Sequence, residues 1–464
     1  MARTSCELAI IGAGPAGMAA AAQAAALGID SIVLDEQPAP GGQIYRQIEM
    51  VQTSRTDDLR ILGEEYAEGA ALTASFRASG AAYEPDSTVW QALEDGRIGV
   101  SCGGAAHMLS AKRILFATGA MERPVPIPGW TLPGVMGAGA AQTLLKTSGM
   151  VPNVPVVIVG TGPLIYLIAM QFARAAVPIA AVLMTAPEIG MTDALKVLPG
   201  ALRSGRTLLR GLAWRSELRS MGVQIKHGVS QPMVEGSSRA EAVSYTQGGM
   251  RYRTEAGFVL LHNGVIPNTQ LSLGARCKQA WDAGQHCWRP LTDDWGATNH
   301  ARIAVAGDGA GIFGARAAAC LGRLAALDAA VRLGKLDLAR RDRMAVEDRV
   351  ELVQQHSLRT VLDKLFPPAV ELLAPVGADD IVCRCEEITV AELQDAVAQG
   401  CTDANRVKAF TRCGMGPCQG RMCAAAAAEV IARALGQTAD QPGQFRVRLP
   451  VRPVPVAELA TLQS

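Results

Sequence analysis

The chain has 464 residues, enough for several domains and a large buried core. Hydrophobic residues make up 49% of it and aromatic residues only 4%, alongside 48 glycines, a composition typical of closely packed α/β layers. The formal net charge of +1 excludes a bulk attraction to nucleic acid, and no apolar run reaches the ~18 residues that span a bilayer. The 11 cysteines and the lack of a secretory signal predict a reducing, cytoplasmic compartment, where clustered cysteines serve metal or redox chemistry.

The first motif is a glycine-rich turn between a strand and a helix. Residues 7–34 predict a strand, the turn, a helix ended by Gly28 and a second strand. Such a turn brings the backbone close to a pyrophosphate at a helix N-terminus, and an acid after the second strand takes a ribose hydroxyl. The motif therefore predicts a dinucleotide site. Its candidate cofactor-binding residues are Gly12, Gly14, Gly17, Asp35 and Glu36.

Further segments favour a flavin over a nicotinamide. They resemble the fingerprints of two-domain flavoprotein reductases, and this resemblance implies bound FAD. It also implies that Gln43 and Arg46 approach the flavin and that Asp308 bonds its ribityl or pyrophosphate part. The residues that carry it are Gly42, Gln43, Arg46, Thr118, Gly119, Gly307 and Asp308.

A second, degraded copy of the motif begins after an apolar strand at Val154. Gly160 and Gly162 are present, but Ile165 stands at the third glycine position and uncharged Leu183 where the acid belongs. Without that acid, a nicotinamide ribose has no obvious partner. The repeat predicts an α/β fold with two nested Rossmann-like nucleotide-binding domains, followed by a small C-terminal ferredoxin-like [2Fe-2S] domain.

The predicted division of the chain follows from these motifs. Within the C-terminal domain, the pattern predicts a helix over 389–399 and a strand near Val407. The proposed parts are a discontinuous FAD-binding domain (1–120 and 288–340), a degraded NAD-type domain (121–287), a helical linker (341–378), a cluster domain (379–436) and a proline-rich tail (437–464).

Four C-terminal cysteines are spaced like cluster ligands, two as Cys-x-Cys and two as Cys-x4-Cys. Four cysteines are the usual complement of a [2Fe-2S] cluster, although four thiolates also hold structural zinc. Cys413 repeats the x4 spacing with Cys418 and is a rival ligand. Cys423 is preferred because it abuts a predicted helix, whose N-terminus adds a positive field. The candidate metal ligands are Cys383, Cys385, Cys418 and Cys423.

Three segments together resemble the α subunit of heteromeric flavin-dependent amine dehydrogenases. These segments are residues 117–135, 383–387 and 411–423, and the resemblance extends over nearly the whole chain. The family includes D-hydroxyproline dehydrogenase, opine dehydrogenases, dye-linked L-proline dehydrogenase and hydrogen cyanide synthase. The C-terminal part also resembles bacterioferritin-associated ferredoxin (BFD-like) domains and anaerobic glycerol-3-phosphate dehydrogenase, in which the position of Cys413 is not a ligand.

The resemblance implies an electron-transferring subunit. The amine would be oxidised at a CH–NH bond on the FAD of a partner β subunit similar to D-amino-acid oxidase, with D-hydroxyproline or an opine favoured and glycine open. The resemblance also allows an FMN at a subunit interface, a small ferredoxin-like γ subunit and peripheral contact with the inner face of the membrane. It assigns no catalytic residue to this chain. The alternatives are a self-contained NAD(P)H-dependent flavin reductase and a zinc-holding scaffold.

Overall fold

The computed structural model describes residues 3–186 and 205–462. Residues 187–220 are helix-prone in sequence, and positions 187–204 of that segment lie outside the described residues. Among the described residues, no helix combines the length and apolar character needed to cross a membrane. The strands are β1 (Ser5–Ile11), β2 (Ser31–Leu34), β3 (Ala82–Glu84), β4 (Thr88–Ala92), β5 (Arg97–Cys102), β6 (Ala105–Phe116), β7 (Ala120–Glu122), β8 (Val135–Gly137), β9 (Val156–Thr161), β10 (Ile179–Met184), β11 (Ile225–Lys226), β12 (Ser230–Glu235), β13 (Ala242–Gln247), β14 (Met250–Glu255), β15 (Phe258–Asn263), β16 (Val265–Pro267), β17 (Gln279–Asp282), β18 (Cys287–Pro290), β19 (Ile303–Val305), β20 (Ile381–Cys383) and β21 (Ile388–Thr389). The helices are Pro15–Ala26, Ile48–Ser54, Asp58–Leu62, Glu64–Ala67, Gly69–Ala78, Ala138–Ser148, Pro163–Arg174, Gly205–Ser220, Gln270–Gly274, Ala315–Arg332, Leu338–Met344, Val346–Leu365, Val390–Ala398, Ala404–Thr411, Ala424–Leu435 and Val456–Leu459.

The first sheet combines a parallel half with an antiparallel half. Its strand order is β3-β2-β1-β6-β5-β4, and β19 also pairs with β6. The C-terminal half of β6 runs parallel to β1 and β19, whereas its N-terminal half pairs antiparallel with β5. The parallel half therefore carries the strand–turn–helix motif at the carboxyl ends of its strands, where α/β folds bind ligands.

A second sheet lies between β6 and β19 in the sequence, which confirms the predicted nesting of two Rossmann-type units. Its five strands run parallel in the order β11-β10-β9-β15-β8. The chain leaves the first sheet through β7 and returns through β16, and these two short strands pair antiparallel with each other. The two crossings therefore lie side by side at one junction between the sheets.

Small residues let the two main helices of the first domain pack closely. A Cβ built at Gly322 of helix Ala315–Arg332 would lie 2.1 Å from the carbonyl oxygen of Ala16 in helix Pro15–Ala26. Ala20, Ala326 and their neighbours are fully buried in the same core. Backbone contact of this kind fills space without large rings, which explains why so large a core needs few aromatic residues.

The cysteine-rich segment folds into a small domain with its own buried core. The predicted helix over 389–399 is confirmed as Val390–Ala398, which begins with a reciprocal capping box between Thr389 and Glu392. The predicted strand near Val407 is wrong. That segment is the helix Ala404–Thr411, because the Asp403 side chain accepts hydrogen bonds from the N–H groups of Asn405 and Arg406.

The proline-rich tail returns to the first sheet. Val447, Leu449 and Val451 pack against the core between the antiparallel strands β4–β6 and helix Gln270–Gly274. The Thr461 hydroxyl accepts a hydrogen bond from the N–H of Ala106 and donates one to its carbonyl, across 355 positions of sequence. The tail thus holds the cysteine-rich domain against the N-terminal sheet.

A buried polar network joins the two Rossmann units. The Lys146 amine donates to the Gln43 carbonyl at 3.1 Å and to the Gln142 side-chain oxygen at 3.0 Å. Gln142 donates to Gln171, which in turn donates to the Leu62 carbonyl. Burial and the nearby Arg46 lower the pKa of Lys146 to about 7. A neutral amine has two N–H donors, and both are used here.

We predict that Lys146 makes stability increase with pH above neutrality. Its pKa is lower in the folded than in the unfolded chain, where it is near 10.5, so between these values the unfolded state binds one more proton. The free energy of unfolding should therefore rise, by at most about 1.4 kcal/mol per pH unit. Denaturant unfolding of wild type and Lys146→Met between pH 7 and about 10 should show that the variant lacks this contribution. Lys364→Met, at an exposed position, is the control and should keep the wild-type slope.

Candidate functional site

The glycine-rich turn leaves open space beside Gly14 but none beside the other two glycines of the motif, Gly12 and Gly17. A Cβ at Gly12, whose φ is +107°, would lie 2.5 Å from the Ala117 carbonyl oxygen, and one at Gly17 would lie 1.8 Å from the Gly12 oxygen. At Gly14 the only neighbour within 4 Å is the Gly42 Cα, at 3.8 Å. The first and third glycines are therefore required by packing, whereas the second faces a space that a phosphate group could occupy.

The acid predicted to follow the second strand lies beside this turn. The Asp35 carboxylate accepts hydrogen bonds from the N–H groups of Ala13 and Gln37. Burial raises its pKa, while these bonds and the Arg46 charge oppose the rise. Arg46 is itself buried, and its Nε has no hydrogen-bond partner among the described residues. Glu36 instead pairs with Arg452 of the tail at 2.8 Å.

Two further turns complete the predicted flavin site. The Thr118 hydroxyl donates to the Asn268 carbonyl at 3.0 Å, and Asn268 donates back to the Gly119 carbonyl at 2.9 Å. A Cβ at Gly309 would lie 3.3 Å from the Thr118 hydroxyl. The turn that contains Gly307 and Asp308 therefore lies against this segment, at the carboxyl ends of β6 and β19.

Asp308 holds the turn that immediately precedes helix Ala315–Arg332. Its carboxylate accepts hydrogen bonds from the N–H groups of Phe313 and Gly314, both at 3.0 Å, and burial raises its pKa. The structure thus brings the glycine-rich turn, Gly42, and the turns at 118–119 and 307–308 to one edge of the first sheet, whereas Glu36 pairs with the tail. The open space beside Gly14 fits the phosphates of a dinucleotide.

Packing, rather than a bound nucleotide, explains why the degraded second motif keeps glycine at Gly160. A Cβ at Gly160 would lie 1.6 Å from the His262 carbonyl oxygen on β15. The buried His262 imidazole hydrogen-bonds the Glu122 carboxylate at 2.7 Å, and Glu122 also accepts from the N–H of Gly139. Sequence reasoning missed this pair, because its members are 140 positions apart and meet only at the junction of the two units.

The C-terminal cysteines come together, and they include one that the sequence prediction left out. The Sγ atoms of Cys383, Cys413 and Cys423 all lie within 4.8 Å of one another, and all three side chains are buried. We call these three residues the buried thiol group. The Cys418 thiol hydrogen-bonds both Cys423 and Cys385, so five thiols form one connected set.

Backbone N–H groups point at these sulfur atoms, as a metal–sulfur site requires. Hydrogen bonds from Cys413 and Cys423, and from the N–H groups of Gly414 and Glu386, lower the pKa of Cys383 to about 2. Those from Cys423, Met422, Cys385 and Gly420 lower the pKa of Cys418 to about 5. Gly416 lies so close to Cys385 that a Cβ there would be 2.3 Å from the cysteine Cβ. The donor set fits an iron–sulfur cluster or zinc, and which four thiols bind the metal stays a prediction.

A cavity lies between the junction of the two units, with its hairpin β17–β18, and the cysteine-rich domain. It encloses about 870 Å³ of empty space, part of it open to solvent, between the Trp281 and Trp288 rings and the loop that contains Gln419 and Arg421. The side-chain oxygen of Gln270 and both amide atoms of Gln444 are buried there without partners among the described residues. These unused donors and acceptors line the cavity, where a polar ligand group could satisfy them.

Comparison with known proteins places this geometry in a family. Residues 6–334 match the model of the pyridine nucleotide-disulphide oxidoreductases, and residues 379–462 match the sarcosine oxidase A3 domain. In a solved structure, L-proline dehydrogenase from P. horikoshii has the same fold, with a TM-score of 0.70 over 98% of this chain and 80% of that chain at 18% identity.

Curated relatives extend over the whole chain. The A subunit of the opine oxidase from Agrobacterium tumefaciens is 44% identical over 98% of this chain and 92% of the relative. Hydrogen cyanide synthase subunit HcnB from Pseudomonas aeruginosa is 30% identical over 98% of both chains. The chain is therefore an oxidoreductase of the pyridine nucleotide-disulphide oxidoreductase family, in the group that includes the A subunits of opine oxidases.

Proposed function

We propose that this chain is the electron-transferring FAD/[2Fe-2S] α subunit of a heteromeric dehydrogenase that oxidises the CH–NH bond of an amino-acid derivative. The observation that carries the proposal is the presence, in one chain, of a flavin-type glycine turn and a connected set of five thiols. A flavin takes up electrons in pairs or singly, and an iron–sulfur cluster passes them on one at a time. An opine is the favoured substrate because of the 44% identity to an opine oxidase subunit.

The residues of the first site would hold FAD as the sequence predicts. Gly14 and Gly42 would leave room for the pyrophosphate, Asp35 would accept a ribose hydroxyl, and Arg46 would offer its unpaired Nε. At the other site Cys383, Cys385, Cys418 and Cys423 are the favoured cluster ligands, and Cys413 lies within reach as well.

The amine would be oxidised elsewhere, on the FAD of a β subunit that resembles D-amino-acid oxidase. The names of the relatives support this division, since opine oxidase and hydrogen cyanide synthase are both named as enzymes of several subunits. The cavity beside Trp281 and Trp288 is our candidate for the FMN of the subunit interface, because its unpaired amides could bond a flavin ring. A small ferredoxin-like γ subunit would fit the same arrangement.

Specific observations favour one alternative function and argue against another. Hydrogen cyanide synthase subunit HcnB is 30% identical, which keeps glycine as a second candidate substrate. A self-contained NAD(P)H-dependent reductase would need the second motif. That motif has buried Ile165 for its third glycine, and the residues at and just after the end of β10, from Leu183 to Thr185, are all uncharged where an acid would bind the ribose. Addition of NADH to the purified chain should therefore leave the flavin absorbance unchanged.

We predict that single alanine substitutions distinguish the role of Gly14 in binding FAD from the role of Gly17 in packing. Gly14→Ala should fold with nearly wild-type stability, because its new methyl group meets only the Gly42 Cα, but should lose FAD by occupying the place of the pyrophosphate. Gly17→Ala should destabilise even the flavin-free chain by about 3 kcal/mol or more, because of overlap with the Gly12 carbonyl. Flavin content and denaturant unfolding of the flavin-free proteins provide the measurements. Full FAD occupancy in Gly14→Ala would contradict the assignment.

We also predict that turnover needs the partner. The chain should be expressed alone and with the product of the neighbouring gene, and dye reduction measured with octopine, nopaline, D-hydroxyproline, L-proline and glycine. Only the co-expressed pair should reduce the dye, because the substrate site belongs to the other chain. Rapid turnover by the isolated chain would refute the division of labour, and a preference of the pair for glycine would favour the second candidate.

A further inference from the structure

We propose that Cys413 and Cys423 are exchangeable ligands for one position of the metal–sulfur site. The inference deepens the proposed function, since it concerns the cluster that this function requires. Its basis is the buried thiol group, in which three Sγ atoms lie within 4.8 Å of one another. Cys385 and Cys418 form the other end of the set, so five thiols are available for the four positions of a [2Fe-2S] cluster.

The backbone holds Cys413 in the site. Arg412, the C-cap of helix Ala404–Thr411, adopts a left-handed conformation with φ of +66°. Cys413 comes next, and Gly414 on its other side has φ of +83°. Arg412 is paired with Glu386 at 2.9 Å. This turn directs the Cys413 side chain into the core, where it is fully buried. A non-glycine residue in this conformation costs free energy, and the surrounding contacts must over-determine it.

Cys383 is the common neighbour of the two exchanging residues. Its sulfur accepts hydrogen bonds from the Cys413 and Cys423 thiols, in addition to two backbone N–H groups. Cys413 and Cys423 are also within hydrogen-bonding reach of each other. Either one could therefore bind the iron that Cys383 binds, with little movement of the other thiols.

Packing alone does not explain this arrangement. Cys401 is a buried thiol in the same small core, yet it is not among the three whose sulfur atoms converge. A cysteine that only fills space needs no sulfur neighbours, whereas Cys413 has two.

The exchange is a balanced substitution at iron. With a cluster bound, Cys413 would replace Cys423 as the thiolate ligand, and the proton of the Cys413 thiol would move to the released Cys423 thiolate. No electron is transferred, so neither an oxidant nor a reductant is needed. The product is the same cluster bound by a thiolate that is not the cap of helix Ala424–Leu435, a position that Cys423 occupies. The positive field at that helix end would then act on the sulfur differently.

The test removes these thiols singly and together in the full chain. Iron and acid-labile sulfide per chain, and the EPR signal of the reduced protein, are measured for Cys413→Ala, Cys423→Ala, the double variant and Cys383→Ala. Cys401→Ala is the matched control for the loss of a buried thiol. Cys413→Ala and Cys423→Ala should each keep most of their iron, and Cys423→Ala should show an altered EPR signal. The double variant and Cys383→Ala should lose nearly all iron, and Cys401→Ala should match wild type.

Other outcomes overturn the inference. Loss of iron from either Cys413→Ala or Cys423→Ala in a folded chain would make that residue an obligatory ligand, and retention by the double variant would remove both from the site. If Cys423→Ala does not fold, Cys423→Ser replaces it in the test. The exchange then predicts that Cys423→Ser keeps its iron and that Cys413→Ala added to Cys423→Ser removes it. A wild-type chain that holds zinc would refute the proposed function, while zinc contents of the same variants would still decide the exchange. A wild-type chain without metal would refute both.

Discussion

The buried guanidinium of Arg123 fixes the junction on which the arrangement of the domains depends. It donates to three backbone carbonyls, those of Asn263, Gln285 and His286, at 2.6 to 3.0 Å. A buried cation is costly unless its donors are satisfied, and burial lowers the pKa of this arginine. These bonds join the outgoing crossing, the end of β15 and the hairpin β17–β18. The His286 imidazole then hydrogen-bonds Glu429 in the cysteine-rich domain.

The position of both candidate sites follows from this junction. Thr118, Gly119 and Asn268 flank the two crossings and line the flavin-type site, while the hairpin faces the loop that contains Cys418 and Cys423. A shift at Arg123 would therefore change the separation of the two sites as well as the packing of the second unit. Under the proposed function, electron transfer between the two cofactors would depend on this separation.

The first site was largely predictable because its chemistry is local. The strand, the glycine turn, the helix and Asp35 lie within 31 residues of one another (5–35), and each element has its own signal. Lys146 was missed because its partners come from distant segments, although its spacing of four from Gln142 on one helix gave a clue. The strand predicted near Val407 is instead a helix, because the Asp403 side chain caps its first N–H groups. Cys413 and Cys423 both stand five positions from Cys418, so spacing could not decide between them as ligands. Only the fold shows that both lie beside Cys383.

The tail has a consequence for the order in which the chain can mature. During synthesis, Thr461 leaves the ribosome long after Ala106, its partner across 355 positions, and Val447, Leu449 and Val451 complete a core whose strands emerged much earlier. The antiparallel strands β4–β6 of the first sheet therefore remain uncovered until the cysteine-rich domain has been translated. The tail can therefore close over the sheet only after the cysteine-rich domain has left the ribosome, which makes this contact one of the last steps of folding.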